Sequence, residues 1–163
     1  RTIAMMLTLL VAGLVIGCGQ SIGEDVERFH PDVDNDCPLC DLKGIDLKGA
    51  DLYGANLSNA DLFGVDLAGA SLTGADLRAA DLEGANLSGA DLTDADLRFA
   101  PLNRANLTEA NLENASLRKA NLTGANLTRA YLDEANLDGV IGANFKGAEA
   151  VPKKYLKKKY LKD

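Results

Sequence analysis

From Leu42 to Leu137 a leucine stands at every fifth residue without exception, 20 in all. Few chain geometries tolerate that spacing. On an α-helix five residues advance the chain by about 500°, so successive leucines would drift by about 140° and never form a stripe. On a flat strand five is odd, and Leu42 and Leu47 would point to opposite faces. The spacing fits a repeat of about three extended residues followed by a corner. The leucine and the residue two before it then point one way, the residue between them points the other, and every leucine faces a single axis. Neighbouring residues agree with this. The residue two before each leucine is Ala apart from Cys40, Ile45 and Val65, which leaves room for the leucine where the chain closes round. Glycine follows the leucine by two at ten corners, among them Gly44, Gly64, Gly84 and Gly124. It suits a corner because it tolerates dihedrals that other residues avoid.

The residue just before each leucine is nearly always Asp or Asn, as in ADLYG, ANLSN, ADLFG, ANLTE and ANLEN. An internal repeat of this kind takes precedence over any local assignment of secondary structure. Tandem A-[DN]-L-x-x over residues 41 to about 148 resembles the pentapeptide-repeat family. The resemblance implies an all-β fold, a right-handed quadrilateral β-helix with four pentapeptides per coil and with the leucine and the residue two before it inside. On that geometry residues 37 to 139 make about five coils, a solenoid roughly 25 Å long at about 4.8 Å between strands. The register breaks after Leu137, where the next match, Ala143-Asn144-Phe145, is displaced by three. A short C-terminal helical or irregular cap is expected beyond it, because open solenoid ends invite polymerisation.

Four repeats to a coil align residues that the linear sequence separates. One outward column runs Asp46, Asp66, Asn86, Asn106, Asn126, and stacked Asn side chains can hydrogen-bond along it. The next face is acidic, with Asp51, Asp91, Asp94, Glu113, Asp133 and Glu134. On the face after that, the residues following each leucine are Ser58, Arg78, Arg98, Arg118 and Asp138, with Phe99 and Lys119 at corners. Two readings stand side by side. Asp76 and Asp96 on the same face neutralise a solvated arginine row, and exposed pairs of that sort contribute little. Alternatively Arg78, Arg98, Phe99, Arg118 and Lys119 form a partner-docking patch, since arginine with an exposed aromatic is the usual composition of an interface anchor. Tyr53, Phe63 and Tyr131 also point outward and are weaker candidates.

Charge and composition divide the rest of the chain. Residues 1–17 carry an apolar run from Ile3 to Ile16, the length of a signal-peptide core and short of the roughly 20 residues a spanning helix needs. The chain opens on Arg1 without a Met, which leaves room for more of a positively charged leader ahead of it. Val15-Ile16-Gly17-Cys18 resembles the bacterial lipobox, and that resemblance implies lipid attachment at Cys18 and a durable membrane anchor. The plainer alternative is a secretory signal in which Cys18 is incidental, giving a secreted or periplasmic soluble protein. Either reading puts the mature chain outside the cytoplasm. Residues 18–36 form an acidic spacer, poor in apolar residues. Asp32, Asp34 and Asp36 resemble the start of a calcium loop, but Cys37 and Lys43 stand where such a loop needs Gly and Glu. The solenoid is assigned to residues 37–150, and residues 151–163 form a basic tail with six lysines. Pro152 can start a short helix there, so Tyr155 to Leu161 are read as a capping helix or partly ordered tail, with contact to an anionic surface as the alternative.

Cys37 and Cys40 fall in the leucine and alanine registers, so both are expected to face the core, as a disulfide or a buried thiol pair closing the N-terminal end. A redox motif would need a partly exposed thiol, and a zinc site four ligands. His30, the sole histidine, lies in the spacer, so no imidazole can serve as a base within the repeats. The expectation is a non-enzymatic, extracytoplasmic interaction or scaffold module without cofactor, metal or nucleic acid, meeting an unidentified protein or envelope polymer and the membrane through its lipid. A passive spacer is one alternative. The other is mimicry of DNA toward a type II topoisomerase, known in certain pentapeptide-repeat proteins. Charge disfavours it: about 15 phosphates line a 25 Å duplex, whereas residues 41 to 150 set nine basic against 17 acidic side chains.

Overall fold

The computed structural model describes residues 36–156. Isolated parallel bridges join each Asp or Asn column to the residue 20 positions on: Asp41 to Asp61 to Asp81 on the first face, Asp46 to Asp66 to Asn86 on the second, Asp51 to Ser71 to Asp91 on the third and Asn56 to Asp76 to Asp96 on the fourth. One coil is therefore four pentapeptides. The 20 leucines from Leu42 to Leu137 are all buried, as are the alanines two places before them from Ala55 to Ala135, in one continuous core.

A single repeat, Leu107 to Asn111, shows why the pattern is self-consistent. A folded chain must find a partner for every enclosed N–H, and here each of the five has one. Leu107 donates to the carbonyl of Asn126 at 2.8 Å and Glu109 to that of Thr128 at 3.0 Å, both in the following coil. Asn111 donates back to Ala90 at 2.9 Å, and Ala110 closes the corner onto Leu107 at 3.1 Å. Only Thr108 lacks a backbone acceptor. Its N–H goes to Oδ1 of Asn106 at 3.2 Å. The same bond from the residue after the leucine to the Asp or Asn before it recurs from Lys43 to Lys146. The preference for Asp or Asn is thus an Asx turn repeated along the solenoid.

The corners behave differently from the expectation built on glycine. Gly49 sits at φ +66°, but Phe99, Arg104, Glu109, Asn114, Lys119 and Arg129 occupy the same place in their repeats at φ +57° to +64°. A four-residue turn with positive φ at its third residue is type II, and it is imposed on L-residues at roughly 1–2 kcal/mol each. The bonds explain the tolerance: the corner N–H is held by the following coil, as in Phe99 to Arg118 at 3.1 Å and Lys119 to Asp138 at 2.9 Å.

Both ends of the fourth face finish on a side chain. At the N-terminal end Asp36 Oδ1 accepts from the Asn56 N–H at 2.7 Å, where Asp76 one coil later uses the carbonyl of Ala55. Cys37 and Cys40 span the first corner, are buried and are joined by a disulfide with their Cα atoms 5.5 Å apart. At the C-terminal end the expected displacement by three is realised as a loss of two. Leu122 still pairs with Ile141, 19 residues on, but Tyr131 bridges Glu149 at a separation of 18 and Leu132 donates to Glu149 at a separation of 17. In a five-residue pattern a gain of three and a loss of two look alike. Val140-Ile141-Gly142 is a truncated repeat, and Phe145 takes the buried leucine position above Leu127.

Of the segment Tyr155 to Leu161, read from the sequence as a capping helix or partly ordered tail, only Tyr155 and Leu156 are among the described residues; a single 3₁₀ turn, Lys153–Tyr155, ends on Tyr155, whose ring is buried. Residues 157–163 lie outside the described region, as do the leader, Cys18, His30 and the spacer to residue 35.

Candidate interaction surface

The fourth face carries the arginine column, and its rows are not equivalent. In the first, Arg78 grips Asp76 with two bonds, Nε to Oδ1 at 2.8 Å and Nη2 to Oδ2 at 2.5 Å. In the next, Arg98 holds Asp96 in the same way at 2.8 Å and 2.6 Å. Arg78 also lies 3.9 Å from Asp96, linking the two rows. These hydrogen bonds keep the Asp76 carboxyl below its ordinary range and raise both guanidinium groups above theirs. Arg78 and Arg98 are therefore held by the fold itself, as the solvated-row reading expects.

One coil further the pattern changes. Ser116 stands where Asp76 and Asp96 stood, bridged in the same column between Asp96 and Asn136, and Arg118 follows it. Among the described residues Arg118 makes no ion pair. Beside it the Lys119 Nζ lies 5.4 Å from the centroid of the Phe99 ring, a cation–π distance. Phe99 is 55% exposed, although it occupies a strained corner. Of the five patch residues predicted from the sequence, the structure brings Phe99, Arg118 and Lys119 together as an open group, and assigns Arg78 and Arg98 to internal pairs.

The remaining faces are more self-contained. On the second, Asn86 donates to Asp66 at 2.9 Å and Asn106 to Asn86 at 3.0 Å, the expected ladder. Asn126 does not reach Asn106; it donates to Thr108 Oγ1 at 2.9 Å, and the Thr108 hydroxyl donates in turn to Asn106 Oδ1 at 2.7 Å. The threonine after Asn106 was the signal that the ladder would shift to a relay. On the acidic third face the Tyr131 phenol is pushed up, first by the charge of Asp133 and then by burial and Glu113. Asp91 is pulled down, chiefly by the Thr93 hydroxyl bonded to it at 2.6 Å. Tyr53, Phe63 and Tyr131 are exposed as expected. Leu39, Ile141 and Leu156 are exposed too and were missed; Leu39 stands at a corner and Ile141 in a column that otherwise holds Asp, Asn and Pro101.

Among the described residues no group of His, Cys, Asp and Glu is arranged to hold a metal ion, and no helix is long and apolar enough to cross a membrane. Of the three calcium-loop acids only Asp36 is described, and its carboxylate is committed to Asn56.

The family model described as Pentapeptide repeats matches residues 40–78, 70–108 and 105–141. No curated protein matches the chain. Among solved structures it is similar to HetL, a pentapeptide repeat protein involved in heterocyst differentiation regulation in the cyanobacterium Nostoc sp. strain PCC 7120, with 34% identity over 70% of this chain, TM-score 0.37. The chain spans 63% of HetL's length. A second pentapeptide repeat protein of Nostoc is 36% identical over 71% of this chain and 84% of its own, TM-score 0.37. One from the Arabidopsis thaliana thylakoid lumen is 33% identical over 68% and 74%, TM-score 0.25.

Proposed function

Because this chain belongs to the pentapeptide-repeat family of right-handed β-helices, we propose that it is a non-enzymatic, extracytoplasmic interaction module that presents the fourth face of its solenoid to a protein or envelope polymer. In this reading about five coils form the presenting surface, and the segment around Tyr155 closes the C-terminal end. Cys18 carries the lipid that holds the module at a membrane, with residues 18–36 as the spacer between anchor and solenoid. The observation that carries the proposal is the open group of Phe99, Arg118 and Lys119 on a backbone tied coil to coil by hydrogen bonds such as Phe99 to Arg118 and Lys119 to Asp138. A rigid platform with one arginine and one aromatic ring left outward has the composition of an interface anchor.

Crosslinking in intact cells, followed by identification of the captured partner by mass spectrometry, tests the face. An Arg98→Glu, Phe99→Ala variant should lose the partner; unchanged capture removes the fourth face from the proposal. Fractionation tests the anchor independently. Wild type should sediment with membranes and Cys18→Ala should not, whereas unprocessed protein in the cytosol would sink the extracytoplasmic reading and reopen the topoisomerase alternative.

A further inference from the structure

Resting on the reading of the fourth face as a docking surface, we infer that Arg118 is a seat for an Asp or Glu side chain of a partner protein, which completes from outside the guanidinium–carboxylate pair that the fold builds internally in the two preceding coils. The repeat supplies its own template. Rows 76/78 and 96/98 place an arginine two residues after an aspartate on the same backbone geometry, and both close the same two-bond grip. Row 116/118 keeps the backbone and the arginine and replaces the aspartate by Ser116. Serine is too short and too weak an acceptor to occupy a guanidinium fork, which matches a carboxylate in geometry and charge.

The surroundings favour an acidic side chain carried on a protein. Lys119 adds a second positive charge beside the seat, Asp138 one coil on in the same column is engaged by the Tyr155 hydroxyl and lies 3.9 Å from Lys154, and the exposed Phe99 ring under Lys119 offers apolar contact to the neighbours of the incoming carboxylate. Asp96 is gripped by Arg98 through both oxygens and approached by Arg78, and it forms no ion pair with Arg118 among the described residues.

The repeat also supplies the decisive variant. Ser116→Asp restores the internal carboxylate, so it should fill the seat while leaving the fold intact. The experiment is NMR of the full chain, following the Arg Nε–H and Phe99 ring signals during titration with a short peptide of core Leu-Asp-Glu-Leu and with its Asn/Gln counterpart. The acidic peptide should move the Arg118 and Phe99 signals and leave Arg78 and Arg98 in place, and the amide peptide should move none. In Ser116→Asp the Arg118 signal should shift toward those of Arg78 and Arg98, and peptide affinity should fall roughly tenfold, as expected for loss of a charge-assisted pair. Undiminished binding by Ser116→Asp overturns the proposal. Equal movement of all three arginines does so too, since it means diffuse attraction. Sodium acetate reproducing the full shift would make the occupant any small carboxylate, and peptide-independent shifts that grow with protein concentration would make it a second copy of the chain. Either result overturns the partner assigned here. If Ser116→Asp keeps its crosslinked partner in cells while Arg98→Glu, Phe99→Ala loses it, the seat falls and the docking face stands.

Discussion

The Tyr155 hydroxyl accepts a hydrogen bond from the backbone N–H of Leu137 at 3.0 Å and donates one to Asp138 Oδ1 at 2.8 Å. One coil earlier the corresponding N–H, that of Leu117, is taken by the carbonyl of Asn136. A phenol therefore stands in for the coil that does not follow. Tyr155→Phe keeps the buried ring and removes the acceptor, so it should cost about 1–2 kcal/mol. Amide exchange at Leu137 should accelerate well before global unfolding, and unchanged protection there would show that the phenol is not what satisfies this group.

Gly142 marks the truncated repeat, and a methyl group added to it would stand 2.8 Å from Thr123 Cα and 2.9 Å from Thr123 Cβ at a backbone φ of +67°. Gly44 has a similar φ of +74° with nothing within 4 Å of the added carbon. Gly44→Ala should therefore cost about 1 kcal/mol, the dihedral alone, and Gly142→Ala about 2–4 kcal/mol, dihedral plus collision. Denaturation midpoints of the two variants side by side separate these contributions.

Pro101 interrupts the first face. It has no N–H for the carbonyl of Ala80, although Asp81 and Asn121 in the same column donate to Ala60 and Ala100. It also has no side-chain oxygen for the Asn103 N–H, and Asn103 Oδ1 is buried without a partner. Pro101→Asn supplies both the ladder bond and the Asx turn. The net gain should be about 1 kcal/mol after the unfolded chain regains freedom, read as a higher denaturation midpoint and slower exchange at Asn103.

Asp76 gives the pH dependence its sign. Its folded carboxyl is held below the ordinary 3.8, first by its bond from Arg78. A depressed carboxyl contributes stability that is fully present above its unfolded value and lost as the pH falls through the folded one. This contribution should therefore be constant from neutral pH to about 4 and fall away below, and Asp76→Asn should flatten that part of the pH profile. The pair is partly exposed and screened by solvent, so the difference should stay under about 1 kcal/mol.

The leucine period alone led to inward leucine and alanine, outward Asp and Asn, and a corner after every fifth residue. The four-repeat coil came with the family resemblance, and the arginine partners Asp76 and Asp96 followed once columns were aligned. What was not legible has identifiable causes. Phe99 and Lys119 were placed at corners, but their positive φ was not legible, because it is set by bonds to Arg118 and Asp138 in the next coil rather than by local preference. Asp and Asn before each leucine were read as outward columns, a stacked ladder on one face and an acidic stripe on the next, although the one N–H per repeat with no backbone acceptor would have predicted their turn. The lone status of Arg118 depends on noticing Ser116 as a missing carboxylate, which requires comparing rows rather than scanning for charge.

The 20-residue register makes the solenoid behave like a dial with four stops. Duplicating a whole coil lengthens the solenoid and returns every column to its own face. Inserting one pentapeptide between Ala100 and Ala105 leaves each corner, Asx turn and buried leucine locally intact, yet turns everything downstream by a quarter revolution. Phe99 would then stay on its face while Arg118 and Lys119 moved to the next. Foldability and surface composition are thus inherited on different counts, multiples of five for the first and multiples of 20 for the second.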